Sequence, residues 1–237
     1  ATRTAVLRAL DVLGYERPTK LRGERARLVG LFLPELQNPI FPAFGEVLGG
    51  ALAQNGYTPV LCTQTAGGIS EADYVELLLQ QQVSGVVFVG GQYSQQSASH
   101  DHYARLTELN LPTVLVNARI DELSFATVST GDSVATRQAW NHRRQLGHTR
   151  IGLVLGPNDH MPSQRKLAAA LAVAGDELPA DRIVHSHYSL EAGQAAASRL
   201  LHVGVTAMIC ASDPIALGAV RAVRRAASDR ARRATRY

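Results

Sequence analysis

Apolar and polar positions along this chain follow two periods. Short apolar runs stand at Leu28–Leu33, Pro59–Cys62, Gly85–Val89 and Pro112–Val116, with starts roughly thirty residues apart, and each reads as a buried strand. Between them the apolar positions fall at helical spacing. Phe41, Phe44, Val47, Leu48, Ala51 and Leu52 form one face, stopped by Asn55-Gly56. Tyr74, Leu77, Leu78 and Gln81 form a second, opened by Ser70 as a cap and Glu71 as a dipole-favoured acid. Tyr103, Leu106 and Leu109 form a third. Strands alternating with helices of this length predict βαβ crossovers and a parallel sheet.

Residues 117–132 interrupt the rhythm and read as a crossover between two α/β lobes. The rhythm then resumes. A helix through Val134–Leu146 ends at Gly147, and Ile151–Leu155 is a strand closed by Gly156-Pro157. Leu167–Ala174 is helical and stopped by Gly175, and Arg182–Val184 is a weak strand. Gln194–Leu201 is helical, Thr206–Cys210 is a strand, and Asp213 is a candidate N-cap for a helix over Ile215–Val223. From Ala226 onward no apolar strand run remains.

Ahead of the first strand the pattern differs. Val6, Leu7, Leu10 and Leu13 share one helix face, Gly14 ends it, and Pro18 turns Arg17 into extended form. Thr19 to Arg27 is a basic linker holding the isolated Leu21. It reads either as a solvated tether or as a nucleic-acid contact, with cations on phosphates and Leu21 wedged into a minor groove. Charge is uneven. Residues 1–27 carry seven Lys/Arg against three Asp/Glu, and residues 221–237 carry seven Arg against one Asp. The middle is net acidic, so polyanion contact belongs at an end.

Composition narrows the classes. No apolar run reaches the ~18 residues of a membrane span, and the charged start is no signal peptide. Two cysteines, Cys62 and Cys210, end apolar runs without a spaced framework, which fits a reducing, cytoplasmic setting. The chain opens without Met and reads as a fragment. No phosphate-binding GxxxxGK[ST] loop exists, and the glycine pairs 49–50, 67–68 and 90–91 form no dinucleotide fingerprint. His100-Asp101-His102 lacks a third metal ligand, and no catalytic triad can be fixed by spacing. The expectation is therefore a non-enzyme with no cofactor and no metal. What stands just past strand ends is Asn38 with Phe41, then Asn117, Asp132, Arg165 and Asp213. An aromatic, a forked guanidinium and carboxylates suit a small polar ligand such as a sugar or nucleoside. Each residue taken alone reads more readily as a cap or a surface charge than as a ligand contact.

Several segments, in order, carry a likeness to one family. They are Leu13-Gly14-Tyr15 before Pro18, Asn38-Pro39-Ile40-Phe41, Gly56-Tyr57, and Val83-Ser84-Gly85-Val86-Val87. Leu146-Gly147-His148-Thr149-Arg150-Ile151-Gly152, Cys210-Ala211-Ser212-Asp213 and Ala216-Leu217-Gly218-Ala219 continue the series. The chain resembles the lactose-repressor (LacI/GalR) family of bacterial transcription regulators over about residues 2–225. That resemblance implies an α/β fold of two Rossmann-like lobes of the periplasmic-binding-protein type (type I). It implies that these are preceded by the last helix of a helix-turn-helix headpiece and a hinge. The expected division is 1–27 headpiece remnant and hinge, 28–128 N-terminal lobe, and 129–237 C-terminal lobe. It further implies a homodimer on operator DNA, repression in most cases, and an effector that shifts a two-state equilibrium. By position, Phe41 would contact the effector, Arg165 would grip a polar group and Asp213 would accept from hydroxyls. Leu21 would intercalate, with Lys20 and Arg22 on phosphates.

Departures from the family pattern also appear. The hinge between Tyr15 and Val29 is short, Gly131 stands where an acid is common, and the arginine-rich end carries no further strand. The rival readings are a periplasmic-type sugar-binding protein and a truncated, non-functional gene product. A dehydrogenase is more distant, lacking its glycine fingerprint.

Overall fold

The computed structural model describes Val12, residues 26–64 and residues 67–234. The headpiece remnant and hinge expected over 1–27, with Lys20, Leu21 and Arg22, lie outside the described residues apart from Val12 and from Ala26 and Arg27, which open the first strand. The chain divides into two compact units. The first comprises residues 1–91, 100–116 and 121–126. The second comprises 92–99, 117–120 and 127–237.

In the first, β1 (Ala26–Leu33), β2 (Thr58–Thr63), β3 (Val83–Phe88) and β4 (Thr113–Val116) are joined through α1 (Ile40–Gln54), α2 (Glu71–Gln80) and α3 (Asp101–Glu108). The short β5 (Ala126–Val128) completes a sheet of order β2-β1-β3-β4-β5. The pairs β1–β2, β1–β3 and β3–β4 are parallel, with Phe32 opposite both Cys62 and Phe88. Period-two alternation divides the core between the two faces. Leu31, Leu33 and Val89 turn to one face, where Phe41, Phe44 and Leu48 of α1 cover them. Phe32 turns to the other and stacks on Phe88 at 4.3 Å, and Phe88 meets Tyr103 edge-on at 5.1 Å. Pro42 is accommodated in the first turn of α1, where its missing N–H has no intrahelical partner to lose.

The second unit repeats the plan. A parallel sheet of order β7-β6-β8 holds β6 (Ile151–Leu155) between β7 (Ile183–His185) and β8 (Ala207–Cys210). Helices α4 (Asp132–Gln145) and α5 (Met161–Ala174) cover one face, with Trp140, Ile151, Leu153, Leu155 and Ala170 forming the core. Helices α6 (Leu190–His202) and α7 (Asp213–Ala234) cover the other, around Val154, Val184, Leu200 and Ile215. Every residue of β6 is buried, as a central strand covered on both faces requires. Burial pushes the thiols of Cys62 and Cys210 up to about 11, the latter against the opposing charge of Arg143, so both are inert core groups.

The strands fall where the apolar runs predict them, but three helices differ from expectation. Helix α5 begins at Met161 rather than near Leu167, because Pro162 stands in its first turn and Ser163 to Lys166 are polar. Helix α6 begins at Leu190 behind the Ser189 cap. Helix α7 runs on to Ala234 rather than ending near Val223. Asp213 is a first-turn acid of α7 and not its N-cap, since the helix opens behind Ser212.

Candidate ligand site

In an open parallel sheet, ligands meet the loops beyond the carboxyl ends of the strands. In the second unit those loops gather charge. Asp132 opens α4 and is 4% exposed. Its Oδ2 accepts from Arg165 Nε at 2.9 Å and lies 2.8 Å from Arg165 Nη2, and its Oδ1 accepts from Lys166 Nζ. Burial pushes the Asp132 carboxyl up. Hydrogen bonds from Lys166 and Arg165, with their charges, outweigh that and hold it below the usual carboxylate range. Arg165 Nη2 also donates to the backbone carbonyl of Asn117. Asn117 has a left-handed backbone, φ 75°, and its N–H donates to Val128 O at 2.8 Å. Asparagine tolerates that conformation better than most L residues.

Beside this cluster stands an aromatic wall. Tyr188, following β7, is hydrogen-bonded to Ser163 at 3.2 Å, and Ser163 is wholly buried. Burial raises the Tyr188 phenol, the Ser163 hydrogen bond lowers it, and the charge of Asp132 raises it; the net shift is upward. A Cβ at Gly156 would come within 2.1 Å of the Tyr188 ring, so only glycine lets the ring lie over the end of β6. His160 lies 5.7 Å from the same ring. Burial lowers its imidazole, against the charge of Asp159, which raises it. On the neighbouring strand end, Ser212 Oγ is buried and finds no hydrogen-bond partner among the described residues.

Residues 26–233 match a family described as periplasmic binding proteins and the sugar binding domain of the LacI family. The chain belongs to the LacI family. It is 46% identical over 236 residues to the HTH-type transcriptional regulator reg1 of Streptomyces lividans, covering 96% of this chain and 68% of that one. It is 46% identical over 235 residues to the HTH-type transcriptional regulator MalR of Streptomyces coelicolor, with the same coverage. Among solved structures it is similar to the transcriptional regulator CelR in complex with cellobiose. There the TM-score is 0.71 at 25% identity, covering 95% of this chain and 69% of that one. These relatives are regulators, so the transport-protein, dehydrogenase and defective-product readings find no support in them.

The structure of this LacI-family regulator brings Asn117, Asp132 and Arg165 together, Asn117 through its carbonyl rather than its amide side chain. Asp213 stands exposed at the start of α7. In the first unit, Asn38 Oδ1 accepts from Ile40 N at 3.4 Å as α1 begins, and Phe41 leans half-buried on the Leu31–Leu33 core. His102, considered above as a metal ligand, instead places Nε2 2.9 Å from Glu71 Oε1. Sequence reasoning missed Lys166, Ser163, Tyr188 and Ser212. Lys166 was the legible one, because it adjoins Arg165 in a helix-opening turn. Tyr188 follows the weakest strand run, which gave no signal of a strand end. No helix among the described residues is long and apolar enough to cross a membrane.

Proposed function

We propose that this LacI-family regulator binds a neutral, polyhydroxylated effector, a sugar, through Asp132, Arg165 and Asn117, and that binding shifts the DNA affinity of the intact protein. The cluster of Asp132 with Arg165 and Lys166 carries the reading. Arg165 and Lys166 are 33% and 23% exposed at their side chains, while Asp132 is almost fully buried. A carboxylate with solvent-facing cationic partners can exchange one hydrogen bond for a sugar hydroxyl, which both donates and accepts. The Tyr188 face suits the apolar side of a sugar ring, and the unpartnered Ser212 Oγ is available to another hydroxyl. The solved complex of CelR with cellobiose supports the ligand class. Asn38, Phe41 and Asp213 are proposed as further effector contacts on the family resemblance.

The protein is read as a cytoplasmic, non-enzymatic repressor acting as a homodimer on operator DNA. Lys20, Leu21 and Arg22 would serve as its hinge contacts, residues 1–27 as headpiece remnant and hinge, and 28–128 and 129–237 as the two lobes. The exposed apolar row Leu217, Val220 and Val223 on α7 supports self-association.

The test is thermal melting with glucose, ribose, maltose, cellobiose and adenosine. A binding sugar at a hundredfold excess over its Kd should raise Tm by about 5–10 °C, and Asp132→Asn and Arg165→Ala should abolish the shift. A panel without effect, or a shift that survives both substitutions, sinks the reading.

A further inference from the structure

Residues 92–99 and 117–120 depart from the sequential layout of the units, and the first is the longer. Residues 92–99 group with the second unit, although the chain up to Gly91 and from His100 belongs to the first. The segment opens with a 3₁₀ turn, Gln92–Ser94, in which Tyr93 and Ser94 are buried. It then engages the loop that leads into α5. Gln95 forms an isolated antiparallel bridge with His160, and Gln96 N donates to Asp159 O at 3.1 Å. Ser97 Oγ donates to Asp159 Oδ2 at 3.0 Å, and Ser94 Oγ lies 3.2 Å from His160 Nε2. Gln164 Nε2, inside the helix, donates to Gln96 Oε1 at 3.0 Å and to Asn158 O at 3.2 Å.

The helix these contacts hold is poorly anchored by itself. His160 occupies its N-cap position and makes no side-chain cap bond. Pro162 removes one orphan donor, but the other first-turn N–H groups have no side-chain acceptor from the cap. Arg165 follows Gln164 directly, one turn into α5, and Lys166 follows Arg165. Both must reach Asp132, which stands on a different helix, α4. A first turn free to fray would carry both cations away from that carboxylate.

We propose that Gln92–Ser99 is a positioning strap: Gln96 and Ser97 fix the first turn of α5 in place of a cap, and so set the geometry in which Arg165 and Lys166 meet Asp132. The strap acts through α5, and Gln96 and Ser97 are its positioning residues. The consequence for effector affinity rests on the site reading above, whereas the strap itself can be tested without any effector.

The experiment compares wild type, Gln96→Leu/Ser97→Ala and the conservative Ser97→Thr. Native-state hydrogen exchange should rise about fivefold to tenfold across residues 157–166 in the double variant, the loss expected for one or two hydrogen bonds, with β6 unchanged. NMR titration of the Asp132 carboxyl should show its midpoint moving up toward the ordinary value in the double variant, as the cations lose their fixed geometry. Ser97→Thr should match wild type in both readouts. Gln164→Leu combined with Gln96→Leu should be less than additive, since both remove the same bond. An unchanged Asp132 midpoint, or unchanged exchange over 157–166, overturns the proposal. Affinity for whichever panel sugar shifts Tm should fall about fivefold in the double variant. A panel with no binding sugar, beside a strap that loosens as described, refutes the effector reading and leaves the strap standing.

Discussion

Among the described residues, each unit buries one carboxylate in the first turn of a helix, and the two are built differently. Glu71 opens α2 with its side chain fully enclosed. Its Oε1 takes a hydrogen bond from Tyr103 and lies 2.9 Å from His102 Nε2, while its Oε2 accepts from Gln64. A Cβ on Gly91 would come within 2.3 Å of Oε2, so the backbone of the loop after β3 is pressed onto the carboxylate. Asp132 opens α4 nearly as buried, but its partners are Arg165 and Lys166, which reach it from the solvent side. His102, by contrast, is only 8% exposed at its side chain. The first carboxylate is tied to neutral amide and phenol groups and to an imidazole, all packed around a fully enclosed side chain. It fastens the ends of β2 and β3 and the starts of α2 and α3. The second is held by cations that water or a ligand can share. The two buried carboxylates therefore differ in the solvent access of their partners, not in their own burial.

The largest effect expected from breaking this contrast is at Glu71. Glu71→Leu deprives the buried Tyr103 hydroxyl and the half-buried Gln64 amide and His102 ring of this acceptor, costing about 3 kcal/mol. In a protein of this size that lowers Tm by about 6–12 °C. Calorimetry showing a loss under about 1 kcal/mol would remove the structural role given to Glu71. Gly91→Ala comes next, at about 2 kcal/mol, because the new methyl collides with Glu71 Oε2. Combined with Glu71→Ala it should be markedly sub-additive, which a double-mutant cycle reads directly. Arg165→Ala should cost stability only about 1 kcal/mol, since Lys166 still faces Asp132. Its effect on sugar affinity should be about a hundredfold or more, enough to remove most of the ligand-induced shift, and equal losses in both quantities would erase the distinction between the two carboxylates.

The smaller effects are in pH. Asp132 is held below its ordinary carboxylate value, so its contribution to stability is complete above about pH 4 and is lost as pH falls through its folded titration. Asp132→Asn should flatten the acid limb of the stability curve in urea titrations. His160 is lowered, so the unfolded chain binds its proton first as pH falls. Its contribution is present above about pH 6.5 and declines below it. His160→Asn should remove that slope, and a slope of unchanged size would place its origin at another group.

Strand positions were legible because β1, β3, β4 and β6 are apolar runs of the length a strand needs. The helices through Phe44, Leu78 and Tyr103 were legible in place but not in every face position, since Val47, Leu77 and Leu109 stand exposed and Val75 is buried. The start of α5 was hidden, since Met161 to Lys166 shows no apolar stripe and its Pro162 reads as a breaker unless the helix begins beside it. Asn117, Asp132 and Arg165 were marked by their places past strand ends, and Arg165 also by family likeness. Ser163 and Tyr188 were not, because their roles depend on which neighbours the fold delivers. Glu71 read as a dipole-favoured helix start, and that was correct as far as it went. Gln64, His102 and Tyr103, which make it a junction, are distant in sequence, and spacing alone does not show such convergence. The strap escaped notice for the same reason, being a polar stretch whose partners begin some sixty residues on.

Asn117 offers Arg165 its main-chain carbonyl and leaves its own amide out of that contact. The position is thus divided into an inherited half and a variable half. The left-handed turn that aims the carbonyl can be kept by asparagine, aspartate or glycine, while the side chain attached to it changes. Exchange among those three residues leaves the carbonyl beside the guanidinium in place, whereas valine or isoleucine there would strain the turn itself. Residue 117 is in that sense a place where divergence among relatives comes at low structural risk.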